Sequence, residues 1–156
     1  MRTFHWYITL FHEPLFRQHL DPIVSSGLAQ QSQKPFLLLL LAMLLNSAQF
    51  CDENTLSRAC PGYDRHVTEG AWLNAIEQNI FSCFDDLQTP FIGSLFIMSM
   101  IYLQRKRTPL ALSIVAMMAR AAQSLNLHKE HTWGLVDNHE RQTRRMIWWS
   151  VFMSDG

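Results

Sequence analysis

Hydrophobic positions along this chain recur at helical intervals. Trp72, Ile76, Ile80 and Phe84 fall every four residues with Leu73 beside them, while Glu69, Asn74, Glu77 and Gln78 hold the other side. That spacing predicts an amphipathic helix from Thr68 onward. Upstream, Pro35 opens the run PFLLLLLAMLLNSAQF, apolar on nearly all sides through Leu45. A helix of that composition is expected to be covered on every side. Thr89-Pro90 and Thr108-Pro109 each read as an N-cap followed by proline at the first helical position. They open FIGSLFIMSMIYLQRKR and LALSIVAMMARAAQSLNLH, an antiparallel helix pair joined by a very short turn. Arg105-Lys106-Arg107 falls in the last turn of the first, where cations favour the carbonyl end of the dipole. The second should stop at Leu125-Asn126-Leu127, with Asn126 left-handed and Leu127 folding back as the apolar contact. The last helix begins at Asp137, where Asp137 and Glu140 form a capping box. Glu140 and Arg144 are spaced for an i,i+4 ion pair, and Ile147, Trp148, Val151 and Phe152 make the apolar face.

The first third is less regular. Residues 3–11, TFHWYITLF, suit either a strand or a helix, and Glu13-Pro14 breaks them. A short helix over Pro14–Leu20 is followed by a second, started by Asp21-Pro22 and ended by Ser25-Ser26-Gly27. Gln30–Lys34 reads as a polar linker. Residues 51–66, CDENTLSRACPGYDRH, hold the turn chemistry and read as a surface loop with room for one helical turn. The expected fold class is all-α, an antiparallel helical-hairpin bundle over residues 1–156, incomplete at the C-terminus because the last helix runs into Ser154-Asp155-Gly156.

Composition sharpens this picture. A hydrophobic fraction of 48% excludes a disordered chain, and six Gly and six Pro among 156 residues leave few turns. The net charge is zero but unevenly spread: residues 51–90 carry two basic and seven acidic groups, residues 91–156 eight basic and four acidic. A nucleic-acid-binding chain usually shows an overall basic excess or a basic arm, and neither is present. An acidic middle facing a basic end is as readily an internal pairing of charges. The longest apolar run, Phe36–Leu45, is half of what a membrane span needs. No convincing secretory signal opens the chain, since His5 and His12 interrupt the stretch after Arg2.

Candidate chemistry is sparse. Cys51, Cys60 and Cys83 cannot pair without a remainder, and their spacing fits no zinc knuckle, so free buried thiols in a reducing compartment are expected. His5, His12 and His19 recur every seven residues, but Pro14 between them argues against a histidine ladder. There is no Gly-rich phosphate loop, nucleophile elbow or His-Glu-x-x-His. Asp85-Asp86 are adjacent and would diverge on a helix. No catalytic and no metal-ligating residue is assigned. Arg141, Arg144 and Arg145 share a helix with Trp148 and Trp149, a pattern that can contact phosphate and stack on bases. Burial of both indoles explains it better, with each guanidinium group paired to a carboxylate, which the acidic 51–90 region offers, or stacked on an indole. No DNA-binding residue is therefore assigned. A rival reading is a small-molecule sensor whose pocket is lined by Met98, Met100, Met117 and Met118.

The C-terminal 70 residues carry a further pattern. An Ala-rich helix is followed by Ser124-Leu125-Asn126-Leu127-His128-Lys129, a loop, and Glu140-Arg141-x-x-Arg144-Arg145-x-x-Trp148-Trp149-Ser150-x-Phe152-x-x-Asp155. This resembles the fungal-specific transcription factor domain, the middle homology region of zinc-cluster regulators. Residues 5–16, HWYITLFHEPLF, resemble the opening of that family, and Trp72 and Thr89-Pro90 fall where it places its middle helices. Leu127, His128, Glu140, Arg144, Arg145, Trp148, Trp149 and Asp155 match its signature, with an expected structural role. Asn126 stands where the family usually has Gly, and Gly156 where it usually has Arg. The resemblance implies a non-enzymatic nuclear regulator. Zinc, and DNA as partner, belong to a module missing from these residues, so no cofactor is expected in this chain. It also implies an effector molecule or transcriptional co-regulator as partner, and no membrane.

Overall fold

The computed structural model describes residues 13–155. Among them are seven α-helices, three 3-10 turns and no strand, so the fold is all-α. In chain order the helices are α1 (Glu13–Ser26), α2 (Lys34–Ala48), α3 (Glu53–Ala59), α4 (Arg65–Asn79), α5 (Thr89–Gln104), α6 (Thr108–Ser124) and α7 (Asn138–Asp155). The segment 3–11, with His5 and His12, lies outside the described residues.

α5 is the hub. From Phe91 to Tyr102 every residue except Met100 is buried, because α6, α2 and α7 pack around it. Two serines sit inside that shell. Ser94 and Ser99 donate to the carbonyls of Phe91 and Phe96, each at 2.7 Å, which satisfies hydroxyls that would otherwise be costly to bury. Phe91 meets Phe84 edge-to-face at 5.0 Å, tying the loop after α4 to the core.

The short α5–α6 turn closes by main-chain bonds. Arg107 N–H donates to Tyr102 C=O (2.8 Å) and Lys106 N–H to Leu103 C=O (3.0 Å), with Lys106 at φ 57°. This is a Schellman closure built on lysine, and a left-handed non-glycine residue costs about 1–2 kcal/mol. Lys106 is exposed, so Lys106→Gly should raise stability by about 0.5–1 kcal/mol in urea unfolding; an unchanged or lowered midpoint would contradict this. α6 ends the same way. Leu127 N–H reaches Ala122 C=O (3.0 Å), Asn126 N–H reaches Gln123 C=O (2.9 Å), Asn126 has φ 54° and Leu127 is buried, as its spacing predicted.

Several starts differ from expectation. Helices α5 and α6 begin on Thr89 and Thr108 themselves, with Gln88 and Arg107 as N-caps and no side-chain capping bond. Proline fits one position later because the second helical N–H also has no intrahelical partner. Pro14–Leu20 and Asp21–Ser26 form one helix, with Pro22 inside it. Pro22 frees the carbonyl of Gln18, an exposed residue, so water can satisfy it. α4 starts three residues before Thr68, since Asp64 accepts from Val67 N–H at 3.0 Å. It stops at Asn79, followed by a 3-10 turn over Phe81–Cys83. Asn79 and Ser82 side chains there bond to the carbonyls of Ala75 and Asn79, competing with the helical ladder. Residues 51–66 contain α3, two turns capped by Asp52. The Leu run is not covered on every side. Leu44 is 42% exposed, and Leu37, Leu40 and Leu41 are half-buried, because α4 and α5 both pack on one face of α2.

The charge asymmetry is partly internal pairing. Glu69, assigned to the polar face of α4, is buried between Arg65 and Arg105 at 3.7 Å each, with Tyr63 donating to it at 3.3 Å. Glu77 accepts from Tyr102 Oη at 2.6 Å and lies 3.9 Å from Arg107. Burial, then the bond to Glu77, pushes the Tyr102 phenol well above its usual range.

Candidate functional site

Of the residues singled out from the sequence, Glu140, Arg144 and Arg145 lie in the first turns of α7, Leu127 and His128 at the start of the α6–α7 loop, and Trp148, Trp149 and Asp155 further along α7. Asp137 accepts from Glu140 N–H at 2.7 Å and starts the helix. The reciprocal arm of the expected capping box is replaced: Glu140 Oε1 accepts from Arg144 Nε at 2.8 Å. Four residues of separation bring Glu140 and Arg144 onto one helix face, where the charged guanidinium is the stronger donor.

Trp133 organises this corner, and nothing singled it out in the sequence. It lies in the loop after a 3-10 turn over Glu130–Thr132, yet is only 8% exposed. Its Nε1–H donates to the Asn126 carbonyl at 3.0 Å, closing the loop onto the end of α6. The Arg144 guanidinium lies 5.8 Å above its ring, a cation–π distance. An isolated Trp between His131-Thr132 and Gly134 has no periodicity to mark it as buried.

Glu130 is the second anchor. It accepts from Arg141 Nη1 at 3.1 Å, from Arg145 Nε at 2.9 Å and from Arg145 Nη2. The bond from Arg145 first, then that from Arg141, holds the Glu130 carboxyl below its ordinary range. Two arginines of α7 thus clamp the preceding loop. The expected partners, carboxylates of the 51–90 region, are not used by these arginines; Glu130 and Glu140 lie nearer in sequence, so pairing with them closes shorter loops.

The indoles divide. Thr143, Ile147 and Val151 form the buried line of α7, with Met146 and Trp148 packed beside it. Trp148 is half-buried and its ring lies 5.6 Å from that of His128, which is exposed. Trp149, expected to bury, is 60% exposed, and Phe152, assigned to the apolar face, is 56% exposed. The reason is helical phase: Trp149 is two residues from both Ile147 and Val151, about 200° around the axis. Trp149 and Phe152 instead pack edge-to-face at 5.7 Å, with exposed Met153 beside them. Trp149→Ser is therefore expected to change stability by less than about 1 kcal/mol and to reduce self-association in light scattering. A large drop in melting temperature would show the indole to be buried. Asp155 ends α7, and its side chain lies outside the described residues.

A cleft of about 580 Å³ opens beside this corner. Phe16 of α1, Phe36 and Leu39 of α2, Leu87 and Leu125 supply apolar lining, Glu140, Thr143 and Arg144 of α7 a charged corner, and His19, Ser32, Gln33, Gln88 and Thr89 further polar lining. Phe36 meets the rings of Phe16 and His19 at 5.1 and 5.2 Å. The methionines expected to line a pocket do not line this one. Met98 and Met118 are fully buried, and Met100 and Met117 pack against the core, because α5 and α6 turn those faces toward each other.

Other candidate chemistry is dispersed. The three cysteines are free, but only Cys83 is buried, and burial raises its thiol pKa; Cys51 is half-buried and Cys60 exposed on the α3 side. No group of three or more His, Cys, Asp or Glu among the described residues is placed to hold a metal ion. None of the described helices is long and apolar enough to cross a membrane.

Comparison with known proteins bears on this arrangement. The family model of the fungal-specific transcription factor domain matches residues 1–156, the whole chain, and the chain belongs to that family. None of the curated proteins and none of the solved structures matches it.

Proposed function

We propose that this member of the fungal-specific transcription factor domain family is the regulatory middle region of a fungal transcription factor. In this reading the chain acts in the nucleus and sets the output of a zinc-bearing DNA-binding module that lies outside these residues. It is non-catalytic, consistent with a family that is not an enzyme family. Zinc and DNA belong to that other module, and the chain's own partners are an effector molecule or a transcriptional co-regulator.

The observation that carries this is the use made of the α7 arginines. Arg141 and Arg145 are engaged by Glu130, and Arg144 by Glu140 and the face of Trp133. Phosphate contacts would have to displace those carboxylates, so the basic helix serves architecture. Leu127, His128, Glu140, Arg144, Arg145 and Trp148 then form a brace that fixes α7 and its loop on the bundle.

Two measurements test the reading. The isolated chain should leave duplex DNA unshifted in gel mobility at physiological salt; tight binding that weakens steeply with salt would overturn it. Fused to a heterologous DNA-binding module and an activation segment, the chain should change reporter output relative to the same fusion without it. Identical output from both fusions would refute a regulatory role.

A further inference from the structure

The cleft beside the α7 brace has the size and the asymmetry of a small-molecule site. Its volume of about 580 Å³ lies within the range of ligand pockets, roughly 300–1,000 Å³. Part of its lining is aromatic and aliphatic, from Phe16, Phe36 and Leu39, and α7 contributes a charged corner.

Thr143 occupies that corner. It is only 7% exposed, it lines the cleft, and its hydroxyl makes no hydrogen bond within the described residues. The residue lines the cleft, so its hydroxyl is available to donate to or accept from a ligand atom. Beside it, Glu140 and Arg144 are bonded at 2.8 Å, so the corner carries two opposite charges and little net field. A charged head entering here is attracted by one member of the pair and repelled by the other, so it recovers little of the hydration it loses. An uncharged hydroxyl or carbonyl avoids that loss, and can bond to Thr143 Oγ1 and to the guanidinium NH₂ groups that Glu140 leaves free.

We propose that this cleft binds a small uncharged amphipathic molecule, its apolar body against Phe16, Phe36 and Leu39 and its hydroxyl or carbonyl head on Thr143 and Arg144. The inference deepens the regulatory reading above and rests on it only for its biological meaning. Ligand entry would bear directly on Arg144, which also covers Trp133, and so on the loop that α7 clamps.

The test uses the full chain and three probes with one apolar body: 1-octanol, octanoate and octylamine. In calorimetric titration 1-octanol should bind saturably, one per chain, and raise the melting temperature. Octanoate and octylamine should bind at least about tenfold more weakly, since each must give up the hydration of a full charge for a corner with little net field. Thr143→Val should weaken 1-octanol about fivefold, the effect of one hydrogen bond, while Thr143→Ser restores it. Should the valine variant fold poorly, chemical-shift changes at Thr143, Phe36 and Leu39 in the unaltered chain locate the probe. Absence of saturable binding, shifts elsewhere, or tighter binding of octanoate would each overturn the assignment. The titration reads the cleft and the reporter fusion reads regulation, so either can fail while the other stands.

Discussion

Phe91→Ala is expected to lower stability by about 3–5 kcal/mol, the range for deleting a fully buried phenyl ring. Phe91 is 0% exposed, lies in the first turn of α5 and meets Phe84 edge-to-face. Its loss removes apolar burial and leaves a cavity that a hub helix packed on several sides cannot close by shifting toward any one neighbour. For a chain of this length each kcal/mol moves the melting midpoint by roughly 2–4 °C, so a fall of about 10 °C should be seen in calorimetry. Leu112→Ala provides the comparison: Leu112 is 60% exposed on α6, and its loss should cost under about 1 kcal/mol. Equal effects from the two would show that α5 is not the hub.

Trp133→Ala is expected to cost about 3 kcal/mol and to loosen the α6–α7 loop. The substitution removes a nearly buried indole, the bond to the Asn126 carbonyl and the ring beneath Arg144 in one step. Trp133→Phe separates these contributions. It keeps an apolar ring and loses the N–H, so it should cost about 1–2 kcal/mol. Hydrogen exchange should rise in residues 126–137 for the alanine variant before it rises in α5, because the loop opens locally while the core holds. Uniform exchange across both segments would mean that Trp133 supports the whole fold and not the brace.

The parts that could be read from the residues are those fixed by local physics. Asn126 is left-handed because a helix end needs a C′ residue tolerant of positive φ, and Leu127 folds back as the Schellman motif requires. Asp137 caps α7 because its carboxylate reaches an amide three residues on. Glu140 meets Arg144 because four residues bring them onto one face. Expectation and structure part where a local rule admits two solutions. Thr-Pro marks a helix start but suits either of its first two positions, and Pro22 breaks a helix only when the carbonyl it frees has no water. Trp149 looked buried because Trp usually is, yet its phase on α7 opposes Ile147 and Val151.

The sequence by itself determined that the chain is helical, where α6 ends and α7 is capped, and which family it belongs to, because these rest on spacings of a few residues and on a linear pattern. Tertiary structure alone decided which carboxylates answer the α7 arginines, that Glu69 is buried between Arg65 and Arg105, and that Trp133 anchors a loop. It also decided where a cleft is left beside Thr143. The reason is that these depend on which surfaces meet once the helices pack. A helix carries its own hydrogen bonds and periodicity, but the angle and distance to its neighbours are set by all the side chains between them.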